Sequence, residues 1–416
     1  MGGGIFAVLG LAVELARGGT PVAFAIAGLV ALTTAYSYAR LSIVYPSRGG
    51  TVEFLNRAFG EGFFTGGLNI LLWLSSIVML SLYAHAFGSY GASFFPDGTQ
   101  LLWQHILTSG AILLFSGLNI MGVSAVGRSE NIIVTLKLSI LVVFLTAGFA
   151  SVNPAAIAPS EWSPPLQLVA GGMLIFLAYE GFELIANTAE NVKSPVKNLP
   201  RAFFTAVVMV IALYVAVSVV TVGNMPLSQI INARDYALAE AATPFLGAAG
   251  FSLIVVAALL STGSAINATL YGTARVSYVI AREGELPLGL DRPVWNRPVE
   301  GLLITAGLTL LISNLFNLTN ISLMGSSGFL VIFAAVNMAN VKLFKQTKSN
   351  RMLSAVAAVL CIAALVILVA ERSSASPLQL LPLFIMVGLS FLIELLYRAS
   401  GIRRRYKAAK PKKLSM

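Results

Sequence analysis

The chain has 416 residues, of which 57% are hydrophobic and 11% charged, with a mean hydropathy of +0.84. A soluble domain carries about 25% charged residues, so a soluble enzyme, a disordered scaffold and a secreted disulfide module are excluded. A membrane protein remains. A span takes about 20 apolar residues, and the apolar content supplies roughly eleven or twelve of them. The net charge is +10; in this setting it bears on orientation in a membrane rather than on nucleic acid.

The chain opens on Gly2-Gly3-Gly4-Ile5-Phe6 and an apolar run to Ala16. That run is too short to span and lacks the basic start and cleavage site of a signal peptide. Apolar windows follow at 21–45, 64–88, 101–121, 131–151, 166–190, 202–224, 246–280, 299–317, 320–344, 351–371 and 377–397. They are expected to be helices, because backbone groups in hydrocarbon must be satisfied internally, and the alternation of a membrane barrel is absent. The breaks fall at Tyr45-Pro46-Ser47, Asn153-Pro154, Leu199-Pro200, Arg297-Pro298 and Ser376-Pro377. Leu227 to Glu240 is mildly amphipathic and reads equally as a short surface helix or a solvated loop.

The basic residues orient these spans. With loop 46–63 in the cytoplasm, only Arg17, Arg234 and Arg372 of the 27 Lys and Arg fall outside, and Lys137 lies within a span. The rest are inside. The tail, Arg398 to Lys413, is then a cytoplasmic anchor on anionic lipid. Cys361 implies no disulfide framework. With so few Cys and His, no metal or other cofactor is expected.

Transporters place their sites where equivalent helices of an inverted repeat are interrupted. Two glycine interruptions stand out: Gly2-Gly3-Gly4, and Tyr179-Glu180-Gly181-Phe182-Glu183 within window 166–190. Their separation suits a five-plus-five inverted repeat. The first unit would be 1–151, the second 152–345, followed by two further helices over 346–397 and the tail 398–416. Gly181 also suits a close helix contact. Glu180 and Glu183 favour a cavity, since acids within a membrane are costly.

These residues resemble amino acid permeases of the amino acid–polyamine–organocation superfamily over nearly the whole chain. Gly2-Gly3-Gly4-Ile5-Phe6 resembles the unwound segment of the first helix. Tyr38-Ala39-Arg40-Leu41, Tyr45 to Gly50 and Ala58-Phe59-Gly60 resemble the end of the second helix and the inner loop. Asn119 to Val123, with Asn131 to Leu138, resembles the passage from the fourth to the fifth helix. Phe176 to Ala202 resembles the broken sixth helix and its exit.

The resemblance implies an all-α LeuT-type fold of two inverted repeats plus two C-terminal helices. It departs at Arg40, where the family often has an acid. It also departs at the first helix, expected to lack its inner half, either because the start is read too late or because the chain is short.

A zwitterion needs a partner for each charge, and helix ends supply them. The carboxylate is expected on the N–H groups of Gly2, Gly3, Gly4 and Ile5, where a Cβ would block approach. The ammonium is expected on carbonyls near Ala178 and Tyr179. The pocket is completed by Glu180, Gly181 and Phe182, with Tyr179 or Phe182 as a lid or as core packing. Glu183 matches a family acid and reads as structural or proton-linked. Glu180 either biases the pocket toward cations or points into the bundle.

Lys137 lies about 9 Å from the expected inner end of its helix. It either snorkels to the interface or, by resemblance to permeases with a lysine in place of sodium, carries a coupling proton. Ser261, Thr262 and Ser264 are expected to face it.

The expected function is secondary amino acid transport across the cytoplasmic membrane, coupled to protons. Proton-independent exchange of amino acids or polyamines, and a non-transporting homologue, are the alternatives. No His-rich cluster, Gly-x-Ser-x-Gly or paired intramembrane aspartates point to an enzyme.

Overall fold

The computed structural model describes residues 3–121, 125–282 and 299–399. The chain folds into α1 (Gly4–Ala16), α2 (Thr20–Val44), α3 (Thr51–Phe59), α4 (Phe63–Ala92), α5 (Gln100–Met121), α6 (Ala125–Phe149) and α7 (Pro165–Leu174). A 3₁₀ run, Phe176–Asn191, continues α7 after a bend of 42°. Then come α8 (Pro195–Asn224), α9 (Leu227–Asn232), α10 (Ala237–Glu240), α11 (Thr243–Arg282), α12 (Val299–Leu315), α13 (Leu318–Lys342), α14 (Phe344–Thr347), α15 (Arg351–Ala375) and α16 (Leu381–Ala399).

Among the described residues, nine helices are long and apolar enough to cross a membrane, and the bent pair makes a tenth. The protein is an all-α polytopic membrane protein. The shorter apolar helices are α1 and α12. Every expected window falls on a helix. Leu227 to Glu240 forms two short helices, α9 and α10, joined by a 3₁₀ turn.

Three boundaries differ from expectation. The helix runs through Pro200: Pro195 opens α8 where a missing N–H costs nothing, and Pro200, at the sixth position, removes a single bond, the one to the Val196 carbonyl, from a helix of 30 residues. α6 starts at Ala125 rather than 131, which puts Lys137 twelve residues, about 18 Å, from that end. The interruption of the sixth span sits at Leu174–Ile175, not at Tyr179–Glu183.

Burial sorts the helices into an inner and an outer set. The apolar windows of α4 and α13 are 89% buried, against 22% for those of α5 and α6. α1 is apolar all round and buried from Gly4 to Val13, as expected of a helix inside a bundle. The outer helices expose large apolar side chains, among them Leu113, Ile132, Val359 and Phe384. A soluble protein would not show such a surface; hydrocarbon is its natural solvent.

The bend in the sixth span has a specific cause. Ending α7 at Leu174 frees backbone groups that buried structure must satisfy. α13 supplies them. Ser322 Oγ and Ser326 Oγ donate to the Leu174 carbonyl at 2.6 and 2.8 Å, and Leu177 N–H donates to Ser326 Oγ at 2.9 Å. Gly325 lets α13 approach, since a Cβ there would strike the Leu177 side chain.

Ser326→Ala leaves the Leu177 N–H without its partner. An unsatisfied buried donor costs about 1–3 kcal/mol. The variant is expected to melt measurably lower than the native protein in detergent, while a surface change such as Ser373→Ala does not. Equal melting of both variants and the native protein would show that the bend does not depend on this serine.

Candidate functional site

The start of α1 and the segment after the bend meet at the centre of the bundle. Gly2 lies outside the described residues. A Cβ on Gly3 would fall 2.6 Å from Thr262 Cγ2 and 3.1 Å from Tyr83 Cδ1. One on Gly4 would fall 2.8 Å from Ala178 Cβ and 3.0 Å from the Tyr214 hydroxyl. Glycine is therefore required here for close approach. The Tyr214 hydroxyl donates to the Ala178 carbonyl at 3.4 Å. Ile5 is buried beside this contact. No side chain caps the N-terminus of α1.

Residues 179–183 divide by face. Tyr179 turns away from the cavity described below: its hydroxyl donates to the Phe24 carbonyl on α2 at 2.9 Å, and its ring packs on Tyr214. Phe182 joins an aromatic cluster with Tyr38, Phe203 and Phe333, at centroid distances of 5.2 to 6.4 Å. Gly181 is exposed, and nothing lies within 4 Å of a Cβ built on it. Neither a pocket role nor a close helix contact is seen for Gly181.

Glu180 and Glu183 point into one cavity. It is lined by Ser76 and Met79 of α4, Thr269, Gly272, Thr273 and Val276 of α11, Leu184, and Phe329 of α13. Its volume is about 10 Å³, room for one water-sized group. The two acids reach it together because side chains three apart eclipse in a 3₁₀ helix. Both are buried, at 4% and 3% exposure. Glu183 Oε2 accepts from Thr51 Oγ1 at 3.2 Å and from the Tyr38 hydroxyl at 3.4 Å. The two hydroxyls lie 2.8 Å apart, so either can donate to the other in place of its bond to Glu183. Among the described residues, Glu180 makes no hydrogen bond or ion pair.

Lys137 is buried at 3% exposure on α6, which packs against α11. It does not snorkel out of the bundle. Ser261 is buried on α11, and Ser264 half-buried. Thr262 faces Gly3, and its hydroxyl donates to its own helix at Ala258 O, 2.6 Å away.

Tyr83, Tyr214, Ser76, Thr269, Thr273, Ser322 and Ser326 belong to no motif in the sequence, and Tyr38 stands out only within one. The available signal was a hydroxyl recurring at helical spacing in an apolar window, as at Ser322 and Ser326 or Thr269 and Thr273.

At the opposite end of α1, Arg234 binds Glu14 at 3.3 Å and Asp235 at 3.4 Å, and Asp235 meets His85 Nε2 at 3.4 Å. Gln104 Nε2 bridges His85 Nε2 at 3.0 Å and Ser89 Oγ at 2.8 Å. Gly10 is needed beneath them, because a Cβ would strike the Arg234 backbone.

Comparison with known proteins identifies the family. Residues 1–391 match the model described as amino acid permease. The chain belongs to the amino acid permease family. It is 35% identical to the inner membrane transport protein YbaT of Escherichia coli (strain K12), over 82% of this chain and 80% of that protein. It is 28% identical to the methylthioribose transporter of Bacillus subtilis (strain 168), over 83% and 78%. It is also 28% identical to the branched-chain amino acid permease BcaP of Lactococcus lactis subsp. cremoris (strain MG1363), over 79% and 75%. Within this permease, the meeting of α1 with the bent sixth span is the candidate substrate site.

The polar cluster at the far end of α1 carries a pH dependence. Burial pushes the Asp235 carboxyl up, but the hydrogen bond and charge of His85 and the charge of Arg234 outweigh it and hold the carboxyl below its usual range. A depressed carboxyl stabilises the fold above its unfolded value, about 3.9, and that contribution is lost as pH falls through the lower folded value. Asp235→Asn is expected to melt below the native permease at about pH 7, and the gap should close below about pH 4. A gap that stays constant across this range would refute the assignment.

Proposed function

We propose that this permease is a secondary active transporter that moves amino acids across the cytoplasmic membrane by alternating access, coupled to protons. The observation that carries the reading is the contact of Gly3 and Gly4 with Ala178 and Thr262 inside a bundle of about ten spans. A helix N-terminus offers N–H groups to a carboxylate, and the Ala178 carbonyl, past the bend and beside Gly4, offers an acceptor to an ammonium. The relatives named for amino acid transport favour such a substrate.

In this reading, 1–151 and 152–345 are inverted repeats whose interrupted helices meet at the site. Residues 346–397 add two helices. The basic tail, 398–416, lies on the cytoplasmic side against lipid. Its described part is held by Arg398, which bonds Glu394 at 2.5 Å and the Glu61 carbonyl at 3.4 Å. Lys137 carries the coupling proton. Its burial supports this, because it holds the amine inside the bundle, beside α11, rather than at the lipid headgroups.

Purified protein in proteoliposomes tests the reading. Radiolabelled amino acid uptake is expected to saturate, to show counterflow, and to rise with an imposed pH gradient. Lys137→Ala is expected to lose at least about tenfold of the gradient-driven rate, equivalent to about 1.4 kcal/mol. Gradient-driven uptake that survives in the variant would remove the proton from Lys137. Uptake that saturates but ignores the gradient would identify an exchanger.

A further inference from the structure

The Glu180–Glu183 cavity is not needed to bind the zwitterionic part of an amino acid. In the transport reading, the N-terminus of α1 at Gly3–Gly4 and the Ala178 carbonyl serve those charges without any full charge from the protein. Two carboxylates nevertheless face one buried cavity, and one of them, Glu180, makes no hydrogen bond or ion pair among the described residues. Burying a carboxylate without a partner is costly, and a second one beside it adds repulsion. A positive group arriving with the substrate resolves both.

We propose that this cavity is a subsite for a side-chain ammonium, so that the permease prefers amino acids with a cationic side chain. The proposal rests on the transport reading above and deepens it. Three features of the cavity select this ligand.

The first is size. About 10 Å³ admits one water-sized group, which suits an ammonium head and excludes a whole amino acid. The second is chemistry. An ammonium carries three donors and no acceptor. Around it stand the Glu180 and Glu183 carboxylates and the hydroxyls of Ser76, Thr269 and Thr273, all able to accept. Ser76 Oγ spends its hydrogen on the Leu72 carbonyl at 2.8 Å and so offers lone pairs only. Glu183 is already steadied by Tyr38 and Thr51, which leaves Glu180 as the residue that decides specificity.

The third is reach. Along a 3₁₀ helix rising about 2 Å per residue, Glu180 lies about 4 Å and Glu183 about 10 Å beyond Ala178. A four-carbon side chain such as that of lysine covers this interval, whereas an α-ammonium held at Ala178 does not.

Binding and uptake of L-lysine are compared with those of 6-hydroxynorleucine, which keeps the length and replaces the ammonium by a hydroxyl. Native protein is expected to bind lysine at least tenfold more tightly, in detergent and in proteoliposomes. Glu180→Gln is expected to bring that ratio close to one, and Glu180→Asp, which restores a carboxylate, to recover part of it.

Equal binding of the two compounds by native protein overturns the subsite while leaving transport intact. A loss of both compounds in equal proportion in Glu180→Gln also overturns it, by assigning the carboxylate to the α-ammonium. Tight lysine binding without uptake supports the subsite and instead overturns the transport reading.

Discussion

The interrupted sixth span is the constraint on which the centre of the molecule depends. A helix can stop inside an apolar bundle only if its freed backbone groups find partners. Here Ser322 and Ser326 take the Leu174 carbonyl, and Ser326 takes the Leu177 N–H. The chain then resumes as a 3₁₀ run whose tighter winding brings Glu180 and Glu183 into register. Without the serines the span would lose the means to change winding. Without the change of winding, the two acids would not share a cavity so directly. The site is thus set as much by α13 as by the segment that carries its charges.

The cavity is joined to the arginine-bearing end of α2 and α3 by one carboxylate oxygen. Glu183 Oε2 holds both Tyr38 and Thr51, and Tyr38 is the hub of the aromatic cluster with Phe54, Phe182, Phe203 and Phe333. Thr51 opens α3, directly after Gly50, whose positive φ of 44° turns the chain toward Asn187. Charge in the cavity and packing at that end therefore act on the same atoms.

Much of this was legible in the sequence. The apolar windows found the spans, since length and hydropathy alone separate hydrocarbon-facing helix from loop. The glycine start of α1 and the approach of Ala178 were also readable, because close backbone contact needs small residues. The bend was misplaced by several residues. Gly181 looks like a breaker, yet it faces open space. Leu174 and Ile175 carry no breaker, and their partners lie about 150 residues away on α13, as the separations of 148 and 152 show. Local pattern cannot report a hydrogen bond supplied from so far along the chain. For the same reason the sequence left Glu180 undecided between cavity and bundle, whereas the 3₁₀ geometry aims it into the cavity.

In the transport reading, the substrate path has two ends, and they are closed by unlike means. At one end, partly exposed ion pairs tie α1 to the α9–α10 segment through Glu14, Arg234 and Asp235. Such pairs contribute about 0–1 kcal/mol each. At the other, buried rings pack around Tyr38, and aromatic pairs contribute about 0.5–1.5 kcal/mol beyond their buried area. The aromatic end is the firmer closure. A ligand shifts such an equilibrium only by binding the two states differently. Glu183 offers a route to that difference. If the proposed subsite holds a cation, that cation draws on the carboxylate that Tyr38 and Thr51 also use, so its occupancy weakens the tie to the firmer end while leaving the ion pairs at the other end untouched. In the transport reading, the energy needed to open the aromatic end is thus drawn from charge neutralisation at the site, and substrate charge and gate opening become two sides of one interaction.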